Sequence, residues 1–257
     1  RTGFPTARAV VIDNGSRPEL RAAIFAAAAA AGCETRAPRR PLPHGRLVAR
    51  LIAASERPCV FVDPDVAFWE RVEHWDFAPH LLAGRFIPAV DVGGLKMTPR
   101  LHTSHLWVTD PPALRARIAA IRRRHPACGD LFEQRREPAT RLYWDTASAL
   151  CMALGTAATA FGEAQLDAYD HVFAGSHLER ALPAGTDPAV LARLRDWHAR
   201  AQADPRALRG VWREQEAVMR ACAWREAEPD PALAWMRREP SPGRARRLLR
   251  AARRALG

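Results

Sequence analysis

Two aspartates set two residues apart, Asp63 and Asp65, close an apolar run in the stretch CVFVDPDVAFW (59–69). Charge at the end of a buried segment is expensive unless something uses it. Residues i and i+2 of an extended segment project to the same side, so the two carboxylates converge, with Pro64 fixing the backbone between them. Converging carboxylates repel each other unless a cation sits near both. Oxygen ligands of this kind suit a hard divalent ion, Mg2+ or Mn2+, which keeps positions open for a diphosphate. The competing reading is a turn, with one aspartate capping the next helix and the other facing water.

Other groups could join that chemistry. Asp13 ends the apolar segment AVVID and stands, like Asp63, at the carboxyl end of an expected strand. In the run HTSH (102–105), His102 and Ser104 open a strand beside a glycine-rich loop, where they could line a pocket for an acceptor. His102, His105 and Cys128 together could hold zinc, but their spacing matches no recognised zinc pattern. Arg85 and Arg100 could neutralise phosphate. Asp145 precedes the helical pattern TASALCMAL, a place where aspartate is favoured as an N-cap.

The elements that must position these groups follow from patterning. ARAVVID reads as a short buried strand, followed by a helix with Ser16 as N-cap, Glu19 completing a capping box and Gly32 as its stop. A helix around 46–55 precedes the strand CVFV. Strands are expected around LLAGRFIPAV and HTSHLWVTD, then helices over about 112–124, from 145 and over 188–225. Strands alternating with helices predict an α/β layered fold with a mainly parallel, Rossmann-like central sheet flanked by helices and a helical C-terminal region. Ligands of such sheets bind outside the carboxyl ends of the strands. The boundaries fall at a catalytic domain over 1–186, a helical extension over 187–227, and a linker with a basic tail helix over 228–257.

Composition narrows the classes. At 257 residues and 48% hydrophobic, the chain can bury a sizeable core. Five scattered cysteines without a Cys-x-x-Cys pair suit a reducing cytoplasm rather than a disulfide framework. No signal peptide or membrane-spanning run is visible. The formal charge is +11, but the segment 243–257 carries six arginines and no acid, so the rest of the chain carries +5. That segment places Ala245, Leu248, Leu249, Ala252 and Leu256 at helical spacing, which fits peripheral contact with an anionic membrane surface at the inner face of the cell.

In order and spacing, these motifs resemble GT-A-fold glycosyltransferases of the family 2 type. CVFVDPDVAFW is similar to their strand ending in Asp-x-Asp, and VVIDNGS to their strand-Asp-x-Gly-Ser element. WD (144–145) and HVFAGSH (171–177) extend the likeness over roughly residues 7–180. The resemblance implies the GT-A nucleotide-diphospho-sugar transferase fold. It also implies Mn2+- or Mg2+-dependent transfer of a sugar from a UDP- or GDP-sugar to a hydroxyl of a saccharide, lipid-linked or other acceptor.

Residue by residue, it implies that Asp13 meets the base or ribose, and that Asp63 and Asp65 hold the metal and the ribose or diphosphate. His171 would complete the metal site, while Gly175 and Ser176 would let the backbone approach phosphate. Asp145 would take the acceptor proton, which makes inversion the expected outcome, and Trp144 would stack on a sugar face. Two family elements have no counterpart here: an earlier V-x-P-x-Y-N strand, whose absence means a missing N-terminal strand or a different topology, and Q-x-x-R-W, which argues against a processive synthase. Two other functions fit the sequence less well: a sugar-phosphate nucleotidyltransferase, and a basic module binding nucleic acid or an anionic surface.

Overall fold

Strand β1 (Val10–Ile12) pairs in parallel with β2 (Glu34–Arg36) across the crossover helix α1 (Pro18–Ala30). In this computed structural model the described residues are 2–92, 95–126, 130–137, 142–171 and 188–221. α1 ends at Gly32 as the sequence implies. Gly32 adopts φ 67°, its N–H bonds Ala29, and the Cys33 N–H reaches the Ala28 carbonyl at 2.8 Å, a Schellman ending. The start differs from expectation. Arg17 occupies the cap position with no side-chain bond, because Ser16 is turned toward Asp13 instead.

Next come α2 (His44–Ala54), β3 (Cys59–Val62), β4 (Val66–Phe68), β5 (Leu82–Ile87), β6 (Val90–Val92), β7 (Leu95–Met97) and β8 (Arg100–Val108). They are followed by α3 (Pro111–Arg124), β9 (Arg135–Glu137), β10 (Leu142–Trp144), α4 (Ser148–Leu154), β11 (Ala158–Ala160), α5 (Glu163–Asp167) and β12 (Tyr169–His171). Two further helices, α6 (Pro188–Ala203) and α7 (Val211–Ala221), end the described chain.

The architecture is mixed α/β, with several small sheets. The central sheet has the order β11-β5-β8-β3, in which only β11–β5 is parallel; β5–β8 and β8–β3 are antiparallel. It is therefore mixed rather than mainly parallel. The reason is visible in the chain: no helix separates β5 from β8, and only a long crossover can return a strand in parallel. A second sheet has the order β6-β7-β10-β9, and β12 pairs antiparallel with β4.

Helices cover one face of the central sheet. Val48 and Ile52 of α2, Leu114 and Ile118 of α3, and Leu150 and Leu154 of α4 pack on Leu82, Leu106 and Val108. The other face carries an aromatic cluster built on Phe77, Trp107, Phe161 and Tyr169. α6, α7 and the short turn between them form a small core through Leu194, Trp197, Leu208 and Val211, with Trp69 packed against it. Among the described residues no helix is long and apolar enough to cross a membrane. The basic segment 243–257 lies outside them.

Candidate functional site

The Asp63-Pro64-Asp65 segment forms a turn between β3 and β4 rather than an extended strand end: the Val66 N–H bonds the Asp63 carbonyl at 3.2 Å. Proline at the second position is what such a turn favours. The carboxylates still converge, but a reversal of the chain, not the pleat of a strand, brings them together. The competing reading is half right, since the segment is a turn, yet neither aspartate caps a helix, because β4 follows.

β12 supplies the third group. Its antiparallel ladder sets His171 opposite Val66, next to Asp65. One donor atom from each of Asp63, Asp65 and His171 lies within 4.8 Å of the others, and His171 Nε2 is 3.2 Å from Asp65 Oδ1. His171 is buried, Asp63 half-buried and Asp65 exposed. An octahedral ion with bonds of about 2.0–2.1 Å holds its donors about 3–4 Å apart. A small closure around an ion would bring this set into that range, and two carboxylates with one imidazole suit Mn2+ or Mg2+.

Electrostatics separates the two acids. Burial pushes the Asp63 carboxyl up, opposed by the charges of His44 and His171 and aided by Asp65 and Asp145. Burial acts upward on Asp65 too, but the hydrogen bond and charge of His171 outweigh it and hold Asp65 below the ordinary carboxylate value.

His102 and Ser104 stand behind this triad rather than in a separate acceptor pocket. They fall where β8 slips register against β5, Gly84 facing Leu106 but Phe86 facing Leu101, and such irregularities re-aim side chains. The His102 ring centroid is 5.0 Å from that of His171. Its Nδ1 accepts the Ser104 N–H at 3.2 Å and lies 2.7 Å from the Ser104 hydroxyl, leaving the ring proton on Nε2. Ser104 is buried, so its hydroxyl serves His102 rather than an acceptor.

His105 sits in the aromatic cluster, where its Nε2 accepts the Trp107 indole N–H at 3.0 Å. It is not available to a zinc site with His102, and Cys128 lies outside the described residues.

Asp145 is no helix cap: α4 starts at Ser148 after Ala147, which takes φ 60°. Its carboxylate meets the Arg100 guanidinium at 3.0 Å, the Gln134 amide at 2.9 Å and the Thr146 N–H at 2.8 Å. Arg100 is thereby paired with a carboxylate, while Arg85 is buried against Gln215 and the Trp212 carbonyl. Trp144 is fully buried in the main core and offers no face to a sugar, which corrects its expected stacking role.

Asp13 is also buried. Arg21 donates to it at 2.7 Å and the Ser16 and Gly15 amides at 3.1 and 3.4 Å; the Ser16 hydroxyl foremost, then Arg21 and these amides, hold its carboxyl down at about 2 against the upward push of burial. It organises the turn into α1. The next residue ties this turn to the site: Asn14 exchanges two hydrogen bonds with Leu42, just ahead of His44. Gly175 and Ser176 lie outside the described residues.

Sequence reasoning missed His44, whose charge acts on Asp63 from the start of α2. Gly45 holds it there, since a Cβ at this position would lie 1.8 Å from the Phe132 carbonyl oxygen. No spacing in the sequence links residue 44 to residue 63. Asp170 and Gln215 were missed as well, being polar residues inside otherwise ordinary segments.

Comparison with known protein families, curated proteins and solved structures finds nothing that matches this chain.

Proposed function

We propose that this chain is a metal-dependent glycosyltransferase of GT-A-like architecture, transferring a sugar from a nucleoside-diphosphate donor to an acceptor hydroxyl. The observation that carries the reading is the convergence of Asp63, Asp65 and His171 within 4.8 Å at the carboxyl end of β3. Two carboxylates and one imidazole converge there from a turn and a facing strand. The mixed central sheet and the crossover β1-α1-β2 beside it are compatible with this architecture.

Asp63, Asp65 and His171 would hold a Mn2+ or Mg2+ ion. When bound, such an ion supplies positive charge for the diphosphate leaving group. Asp65, exposed and held ionised by His171, is assigned to the donor side of the site. Asp145, whose charge reaches Asp63, is assigned to the acceptor proton. Arg100 and Gln134 fix its orientation, and a base on the far side of the sugar gives inversion. Asp13 is assigned to shaping the donor pocket through its turn. The function is placed in the cytoplasm, with the basic segment 243–257 making peripheral contact with an anionic membrane surface.

The test is to incubate the full chain with UDP- and GDP-sugars, with and without Mn2+, and measure the released nucleoside diphosphate. Metal-dependent release supports the reading. Pyrophosphate release from a nucleoside triphosphate and a sugar phosphate, with no turnover of nucleotide sugars, favours a nucleotidyltransferase instead.

A further inference from the structure

The C-terminal helices reach the metal-ligand candidate His171 through one buried amide. Gln215 of α7 is 1% exposed. Its Nε2 donates to the His171 carbonyl at 2.8 Å, and its Oε1 accepts from Arg85 Nη1 at 2.8 Å. The guanidinium has only donors and the carbonyl is only an acceptor, so the two neighbours fix which way the amide faces.

The residue before His171, Asp170, is held by the start of the same helix and by Trp69 just after β4. Asp170 accepts the Trp69 indole N–H at 2.6 Å, the Gly210 N–H at 2.7 Å and the Trp212 N–H at 3.2 Å. Arg85 also donates to the Trp212 carbonyl at 3.2 Å. β12 is three residues long, and its described ladder is to β4 alone. His171 is thus held relative to Asp65 by β4 on one side and by α7 on the other.

We propose that Gln215 is a positioning residue for His171, through which the C-terminal helical unit sets the affinity of the Asp63–Asp65–His171 site for a divalent cation. The inference rests on the metal reading of that site. Groups that orient a ligand from behind change metal affinity about 10- to 100-fold when removed. Coupling of this kind is reciprocal, so the cation in turn stabilises α7 against the domain.

The experiment uses Mn2+ as the probe and the full chain, with free Mn2+ followed by electron paramagnetic resonance. Gln215→Glu keeps an acceptor for Arg85 but cannot donate to the His171 carbonyl. It is expected to bind Mn2+ at least about tenfold more weakly, alongside the modest fall in metal-free melting temperature that losing one buried hydrogen bond brings. Gln215→Met, close in volume and without either bond, is expected to lose affinity as well. In the unaltered chain, Mn2+ is expected to slow amide exchange over residues 211–221, and this protection disappears in Gln215→Glu.

If the unaltered chain binds Mn2+ and Asp65→Ala abolishes binding, but both Gln215 variants bind as before, the positioning role is overturned and the metal site stands. Absence of Mn2+-dependent protection over 211–221 in the unaltered chain overturns it too. If the unaltered chain binds no Mn2+ at all, the metal reading itself falls and takes this inference with it.

Discussion

The Nε2 of His171 lies 3.2 Å from Oδ1 of Asp65, although the two residues come from different segments and meet only through the β4–β12 ladder. On the proposed reading, this contact brings together two of the three groups that would hold the cation. The third, Asp63, is held close by a turn. Removing either side chain is expected to remove the site as a unit. Asp65→Ala should cut sugar transfer by roughly a thousandfold, about 4 kcal/mol of transition-state stabilisation. His171→Ala should weaken Mn2+ binding in parallel. Near-normal turnover in Asp65→Ala would take that carboxylate out of the chemistry.

On the proposed reading, Asp63 sets stability against metal binding. Its pKa is raised in the fold, chiefly by burial, so the ionised form is disfavoured there relative to the unfolded chain. Stability from this group is greatest at low pH and declines as pH rises through its folded pKa, leaving a destabilising charge at neutral pH. Asp63→Asn is therefore expected to raise the metal-free melting temperature by a few degrees while abolishing Mn2+ binding. Calorimetry on the metal-free protein at pH 7 checks it; a lower melting temperature in the variant contradicts the burial argument.

His105 gives an acid-side signature. Burial in the aromatic cluster pushes its pKa down to about 3, against an ordinary value of 6.5. The unfolded chain takes up this proton first, so stability present above about pH 6.5 is lost as pH falls toward 3. Between pH 7.5 and pH 5 this residue alone removes about 2 kcal/mol. Urea titrations at the two pH values should show that drop, and His105→Phe should shrink it.

Trp144 separates core from site. It is fully buried, so Trp144→Ala is expected to destabilise the fold by about 3–5 kcal/mol. Trp144→Phe, which keeps an aromatic core residue, should leave the KM for acceptor unchanged. A large rise in that KM with unchanged stability would restore the sugar-stacking role.

Much of the layout was legible because local chemistry dictates it. Four apolar residues before Asp63 announced a strand, though β3 lies at the sheet edge, half-buried and with Val62 exposed rather than buried as expected, and Gly32 marked the end of α1 through its left-handed backbone. The convergence of Asp63 and Asp65 was foreseen, but for a different geometric reason, since Pro64 makes a turn where an extended segment was expected. Strand direction was misjudged because helices elsewhere suggested parallel crossovers, although the absence of one between β5 and β8 already required reversal. Trp144 was misjudged because an aromatic residue before an aspartate looks the same in sequence whether it faces solvent or core. Pairings across long separations, Arg100 with Asp145 or Gln215 with His171, leave no periodic trace, and tertiary packing alone creates them.

On the proposed function, the acids after β3 bind a cation carrying a diphosphate. Calorimetric titration of UDP and GDP into the full chain, with and without Mn2+, tests it most directly. The expected result is saturable binding of at least one nucleoside diphosphate in the presence of Mn2+, lost when the metal is chelated and lost in Asp65→Ala. Folded protein that binds neither Mn2+ nor any nucleoside diphosphate, or binds one equally well in Asp65→Ala with the metal removed, contradicts it.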